Sequence, residues 1–263
     1  MARSRPVLGL RHPAAEREIV AFIQRVVKDS GAKGVVLGLS GGVDSAVVGA
    51  LCVKALGKER VTVLLLPSEF TPAADVEDAK ALASEWGVRT YLVNISLLVE
   101  AISGAVGIEQ GKIPKANVQA RVRMVLDYYV ANTYGLLVAG TGDKSEDLLG
   151  YFTKFGDGGA DFMPIAHLYK TQVRELGRKL GLPESICNKP ASPRLWSGHT
   201  AAEELPADYD KLDPLLFYLF EAKLSPAAAV RKAGVGMDLA KAVLRLNKSS
   251  SHKRTLPPMV KQW

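Results

Sequence analysis

Residues 34–45 read GVVLGLSGGVDS. The first six are apolar, β-branched in part and too few for a helix, so they predict a strand buried on both faces. Ser40-Gly41-Gly42-Val43-Asp44-Ser45 follows directly, and residues 43–56 carry a helical apolar pattern. A glycine pair between a buried strand and a helix lets the backbone turn tightly and point its N–H groups inward. With the helix N-terminus behind it, such a turn is an anion site. Ser40 and Ser45 add hydroxyl donors. Asp44 has the wrong sign for an anion site unless a cation stands between it and the anion, which argues for magnesium and a polyphosphate. The Walker spelling G-x-x-x-x-G-K-[ST] is absent, and no G-x-G-x-x-G follows a strand. A bare turn is the competing reading. The five fixed residues of S-G-G-x-D-S arise by chance in on the order of one chain in a thousand or fewer.

Outward from this loop, strand and helix patterns alternate. A helix is predicted over about residues 14–30, with Ile19, Phe22, Ile23, Val26 and Val27 on one face. Further strands are predicted at 61–66, 90–95 and 136–140. Between them lie helices at about 71–86, 96–106 and 118–133, with Thr71 as N-cap and Pro72 as first helical residue of the first. The polar stretch 109–117 reads as a loop. Buried strands separated by helices predict a doubly wound parallel α/β sheet with helices on both faces and ligands at the carboxyl ends of the strands. Residues 141–161 are rich in Gly, Asp, Lys and Ser and read as a long loop or broken helix, and loops of that length are usually functional. Helices follow at about 168–181, 208–222, 226–233 and 238–247. No linker or repeat divides the chain, which reads as one domain over 1–263, with a helical lead-in at 1–33 and a polar tail at 249–263.

Composition narrows the function. The chain has 263 residues, 48% hydrophobic and 23% charged, which excludes a disordered or fibrous protein. No apolar run reaches the ~18 residues of a membrane span. The basic start MARSRPVLGLRHP is interrupted by Arg11 and Pro13 and is not a signal peptide, so a cytoplasmic location is expected. Cys52 and Cys187 form no C-x-x-C, and the four histidines (His12, His167, His199, His252) are scattered, so neither disulfides nor structural zinc are expected. The net charge of +7 comes without a Lys/Arg run or an aromatic stacking motif. That favours small phosphorylated ligands over nucleic acid.

The loop spelling resembles the signature of the N-type ATP pyrophosphatases, enzymes with the adenine nucleotide alpha hydrolase-like fold that cleave ATP between its α and β phosphates. What separates the members lies further along the chain. NVQARVRM (117–124), GTGDKSE (140–146), GYFTKFGDGGAD (150–161), LYKTQ (168–172), KPASPRLW (189–196) and the late His252-Lys253-Arg254 occur in that order. Together with the loop they resemble the NAD synthetase family over nearly the whole chain. The resemblance implies a ligase. The nicotinate carboxylate of deamido-NAD takes AMP from ATP, releasing pyrophosphate, and ammonia then displaces AMP to give NAD.

Carried onto these positions, Gly38, Leu39, Ser40, Gly41, Gly42, Val43, Asp44 and Ser45 would bind ATP, with Thr141, Lys170 and Ser192. Asp44 and Glu146 would hold Mg2+. Arg121, Lys154, Asp161, His252 and Lys253 would contact deamido-NAD. Asp44, Lys154, Lys170 and Asp157 are the implied catalytic set, with Asp157 and Asp161 the candidates for deprotonating ammonium. Read without the family, Arg121 is an ordinary helix arginine and His252-Lys253 an ordinary polar tail, whereas Lys154 between Phe152 and Phe155 suggests a ligand-covering loop. Relatives commonly carry glycine where this chain has Ala116; if that glycine needs φ > 0, the loop geometry here must differ. Ser192 replaces a frequent threonine and keeps the hydroxyl. About 35 residues precede the first strand, too few for the amidase domain of glutamine-dependent relatives, so free ammonia is the expected donor. The family also implies a homodimer, with 118–137 compatible with an interface helix. The competing readings are another N-type pyrophosphatase, such as a GMP synthetase-like enzyme, and a non-catalytic ATP sensor.

Overall fold

The computed structural model describes residues 12–108, 111–192, 194–196, 198, 200–201 and 204–260. Four strands, β1 (Val35–Gly38), β2 (Val61–Leu65), β3 (Arg89–Leu92) and β4 (Leu137–Val138), form one parallel sheet in the order β3-β2-β1-β4. Val35 pairs with Val61 on one side and Leu137 on the other. The chain steps outward from β1 to β3 and then returns to the far side of β1, which puts a topological switch point between β1 and β4.

Side-chain alternation along the strands divides the core in two. Val35, Leu37, Val61, Val63 and Leu65 point to one face, where they pack under α1 (His12–Ser30), α2 (Val43–Leu56), α3 (Ala73–Trp86) and the later α7 (Lys170–Lys179). Val36, Leu64, Leu66 and Val138 point to the other, under α4 (Ser96–Gly104) and α5 (Lys112–Tyr134). The sheet is therefore doubly wound, as the alternating pattern predicts. β3 departs from expectation: Arg89, Thr90 and Leu92 are exposed, because an edge strand has a neighbour on one side only.

Two boundaries differ for local reasons. Thr71 does not cap α3; its Oγ1 accepts the Ser68 N–H at 3.0 Å, and the helix starts at Ala73 behind Pro72. α5 begins at Lys112, six residues before the predicted 118, so most of the expected 109–117 loop is helical where it is described. Ala116 accordingly lies inside α5, buried in helical conformation, and needs no positive φ.

The predicted long loop contains α6 (Lys144–Leu149), opened by a capping box in which the Asp143 carboxylate accepts the Glu146 N–H. Beyond α7, the short α8 (Glu184–Cys187) leads to α9 (Tyr209–Leu216), α10 (Pro226–Ala233) and α11 (Met237–Ser249). Phe217–Glu221 prolongs α9 as a π turn. Leu212, Leu215, Leu216, Ala229, Ala240 and Val243 bury a further core against Leu149 of α6 and Tyr169 ahead of α7. That packing fixes the two elements whose N-termini face the site. Among the described residues, no helix is long and apolar enough to cross a membrane.

Candidate active site

A crevice of about 620 Å3 opens at the carboxyl ends of β1, β2 and β4. Gly38, Leu39, Ser40, Gly42, Val43, Asp44 and Ser45 line it. The loop holds its own shape: Ser45 Oγ accepts the Ser40 N–H at 3.1 Å and lies 3.0 Å from Ser40 Oγ, and Ser40 Oγ accepts the Gly42 N–H at 3.2 Å. Gly41 faces away, with φ +77°, and a Cβ there would meet the Asp75 carbonyl oxygen at 2.2 Å. Glycine at this position is thus required twice, by dihedral and by space.

Opposite the loop sits a buried ammonium. Lys170, the first residue of α7, is 1% exposed, and its Nζ lies 2.7 Å from Asp44 Oδ2, 2.9 Å from Asp143 Oδ2 and 2.7 Å from Glu146 Oε1. Burial alone would lower its pKa; the Asp143, Asp44 and Glu146 charges win and hold it well above the ordinary lysine value. Burial pushes Asp143 up to about 6, with Lys170 opposing, and raises Glu146 well above the usual carboxylate range. One oxygen from each of the three acids lies within 4.8 Å of the others, a spacing that suits a hard cation. Asp44 Oδ1 is buried and lacks a hydrogen-bond partner among the described residues. Thr141 and Ser192 line the same crevice.

A second, partly buried cation fastens the far wall. Lys189 Nζ donates to the Gly41 carbonyl at 2.8 Å, Asp75 Oδ1 at 2.9 Å and Asp78 Oδ2 at 2.6 Å. Arg194 Nε donates to Asp75 Oδ2 at 3.0 Å, in a backbone with φ 52°. At the floor, Arg123 Nε donates to the Leu66 carbonyl, and burial lowers its pKa to about 10. Asp127, one turn further along α5, is pushed by burial up to about 7 with Arg123 opposing. Arg174, one turn after Lys170, lines the crevice with a buried Nε that has no hydrogen-bond partner among the described residues.

The 150–161 segment closes one end. Asp157 Oδ1 accepts the Thr153 N–H at 2.8 Å, and burial raises its pKa. Lys253 Nζ donates to the carbonyls of Gly150 and Phe152 at 2.8 and 2.6 Å, lines the crevice, and has its pKa lowered by burial. Lys154 Nζ donates to the His252 carbonyl at 2.7 Å, and Arg121 Nη2 donates to the Lys154 carbonyl at 3.2 Å. The polar tail is thereby tied to the glycine-rich turn and to α5.

This architecture can be compared with known proteins. The family model described as NAD synthase matches residues 15–257. The chain belongs to the NAD synthase family. Among its relatives, the NH(3)-dependent NAD(+) synthetase of Hyperthermus butylicus is 50% identical over 253 residues, covering 96% of this chain and 92% of that protein. That of Archaeoglobus fulgidus is 46% identical, covering 92% and 94%. The structure of the NH3-dependent NAD synthetase from Campylobacter jejuni superposes with a TM-score of 0.80 at 30% identity, covering 94% of this chain and 98% of that one. An NMN synthetase from Francisella tularensis superposes at 0.84 and 33%, covering 95% and 98%.

Within this NAD synthase chain, the residues expected for ATP gather in one crevice, Gly41 alone turning its back. The deamido-NAD set is spread more widely. Arg121, Lys154 and His252 form one exposed hydrogen-bonded group beside the crevice, and Lys253 reaches into it. Asp161 uses both oxygens within the fold: Oδ2 accepts the Val138 N–H at 2.7 Å and Oδ1 the Tyr128 hydroxyl at 3.1 Å. Asp143, Lys189, Asp75, Arg123, Asp127 and Arg174 are site residues that sequence reading passed over. For Asp143 a signal existed, the capping-box spacing Asp143-x-x-Glu146. The others are ordinary helix or loop residues until the fold brings them together.

Proposed function

We propose that this chain amidates deamido-NAD with ammonia, using ATP and releasing AMP and pyrophosphate. The observation that carries the reading is that Lys170 Nζ meets Asp44 of the Ser40–Ser45 loop together with Asp143 and Glu146, in the crevice that the loop lines. The named relatives are synthetases that use ammonia, and the family matched is the NAD synthase family rather than another pyrophosphatase.

In the first step an oxygen of the nicotinate carboxylate attacks the α-phosphorus of ATP, and the bond to the bridging oxygen breaks as pyrophosphate leaves. Bringing an anion to a polyphosphate is the barrier, so positioning and charge neutralisation dominate. The N-terminus of α2 and the hydroxyls of Ser40 and Ser45 cradle the phosphates, and Arg174 Nε, which has no hydrogen-bond partner among the described residues, offers a further donor. Asp44 and Glu146 supply oxygens for Mg2+, a reading supported by the spacing of the acids and by the partnerless Asp44 Oδ1. When bound, the metal neutralises phosphate charge.

In the second step the ammonia nitrogen attacks the acyl carbon of the adenylate. The C–N bond forms, and AMP leaves with the electron pair of the C–O bond. Ammonium must first lose a proton, and we assign that to Asp157. It lines the crevice, whereas Asp161 has both oxygens engaged. Lys154, Arg121, His252 and Lys253 are read as the deamido-NAD anchor, and we read the chain as a single synthetase domain.

Two assignments complete the proposal. α4 and α5 expose Leu97, Ile102, Val125 and Tyr129 on the face that the sheet does not cover. An apolar face of this kind suits a second copy of the chain, giving a homodimer. Both cysteines are free and buried, which fits a reducing cytoplasm.

The test is product analysis with ATP, Mg2+, deamido-NAD and ammonium, omitting one component at a time. Stoichiometric NAD, AMP and pyrophosphate, with glutamine unable to replace ammonium, is the expected result. Turnover of nicotinate mononucleotide but not deamido-NAD would move the acceptor. ATP binding without AMP would reduce the protein to a sensor.

A further inference from the structure

We infer that Asp143 is a third carboxylate of the metal site and that the Lys170 ammonium holds the metal's position until metal and nucleotide arrive. The inference rests on the magnesium reading above and extends it to residues which that reading leaves out.

The local geometry begins with the capping box of α6. Asp143 Oδ1 accepts the Glu146 N–H at 2.9 Å, and Glu146 Oε2 faces the Asp143 N–H at 3.4 Å. Each acid therefore spends one oxygen on the helix terminus and turns the other inward. Those inward oxygens, Asp143 Oδ2 and Glu146 Oε1, join Asp44 Oδ2 around Lys170 Nζ. A helix cap normally ends at the surface. Here the Asp143 side chain is wholly buried, and its Oδ2 faces the Lys170 ammonium at 2.9 Å. A carboxylate buried to this degree needs a cation beside it, so the position calls for the ammonium or for a metal in its place.

The same atoms cannot serve two cations. Magnesium binds carboxylate oxygens at about 2.0–2.1 Å and an ammonium at about 2.7–2.9 Å, so both seek the centre of one triangle of oxygens. Metal entry must drive Lys170 out. Its long, flexible stem is anchored at the first residue of α7 and can swing the charge toward the phosphate loop. Without polyphosphate to receive it, the displaced ammonium would sit unpaired in a buried crevice, so metal alone binds weakly and nucleotide is needed to release the site.

Manganese titration followed by electron paramagnetic resonance, with the metal alone and the full-length chain, tests both halves. The wild type is expected to bind Mn2+ weakly. Lys170→Met, which empties the centre, is expected to bind at least tenfold more tightly, and adding Asp143→Asn to it returns the affinity at least tenfold. Equal affinity of wild type and Lys170→Met would overturn the placeholder role. An unchanged double variant would leave Asp143 a cap alone. Should Lys170→Met fail to fold, Asp143→Asn, which preserves a capping side chain, is compared with the wild type by Mg2+-dependent melting in the presence of a non-hydrolysable ATP analogue. Loss of the metal-induced shift is expected, and an equal shift would overturn the third ligand. A wild type with no metal-dependent shift and full turnover in EDTA would instead remove the magnesium reading on which both rest.

Discussion

Lys189 Nζ lies 2.8 Å from the carbonyl oxygen of Gly41, so the segment that carries Ser192 grips the phosphate loop from behind. The same ammonium reaches Asp75 and Asp78 at the start of α3, and Arg194 adds a second cation to Asp75. Loop, α3 and the 189–196 segment are therefore one mechanical unit.

Lys189→Met should break that unit. It leaves Asp75, which is 6% exposed, with one cation instead of two and frees the Gly41 carbonyl. A loss of about 1–3 kcal/mol in stability is expected from the weakened pairing of the buried Asp75. The KM for ATP should rise about tenfold or more, with a smaller change in kcat, and Lys189→Arg should recover part of it. Steady-state kinetics and urea melts on the three proteins check this. An unchanged ATP KM in a folded Lys189→Met would show that Ser192 is placed without the latch.

The parallel sheet and the phosphate loop are legible because their signals are short-range. A strand buried on both faces must be a continuous apolar run, and a tight turn beside a helix must be glycine. Asp143, Asp75 and Asp127 are not legible in that way, since each is an acceptable surface residue on its own helix. Only the fold brings each to its cation: Lys189 and Arg194 to Asp75, Lys170 to Asp143, and Arg123 beside Asp127. β3 misleads for a related reason: its apolar Tyr91 and Leu92 look like core, and sheet order alone decides that they lie at the edge.

Asp127 sets a pH dependence of stability. Burial raises its folded pKa from 3.8 to about 7, with Arg123 opposing. A carboxyl raised on folding contributes stability that is present in full below pH 3.8 and is lost as pH rises through 7. Its ionisation therefore lowers stability across that window by up to about 2–4 kcal/mol. Asp127→Asn should be more stable than the wild type at pH 8, and the advantage should vanish near pH 4. Urea denaturation at both values decides it, and an equal difference at the two would rule out the titration as cause.

Asp213 ties the C-terminal helices to the start of α7, where Lys170 stands. It is 0% exposed; its Oδ1 accepts from Ser145 Oγ at 2.6 Å and its Oδ2 from the Thr171 N–H at 2.8 Å. Ser145 Oγ also accepts the Lys170 N–H at 3.0 Å. Asp213→Ala strands these donors, and a loss of about 2–4 kcal/mol is expected. Because the start of α7 loses its anchor, ATP affinity should fall as well. Calorimetric melting and ATP titration would reveal a purely structural role if only the first changed.

The proposed dimer face on α4 and α5 would link assembly to substrate binding. Leu97 is 77% exposed and Tyr129 70%, values far above those of core residues on the same helices such as Val99 at 3% and Val122 at 4%. A second copy that covers them would also lie alongside Arg121, which projects from the exposed side of α5 and bonds to the Lys154 carbonyl. Leu97→Asp should convert a dimer near twice the 28.2 kDa chain mass into a monomer without unfolding it. The KM for deamido-NAD should then rise more than the KM for ATP, since the phosphate loop lies across the sheet from this face. Light scattering gives the mass, and kinetics on the same sample give the two constants. A monomeric wild type would remove the interface, and a dimeric wild type whose Leu97→Asp monomer keeps both constants would separate assembly from the deamido-NAD anchor.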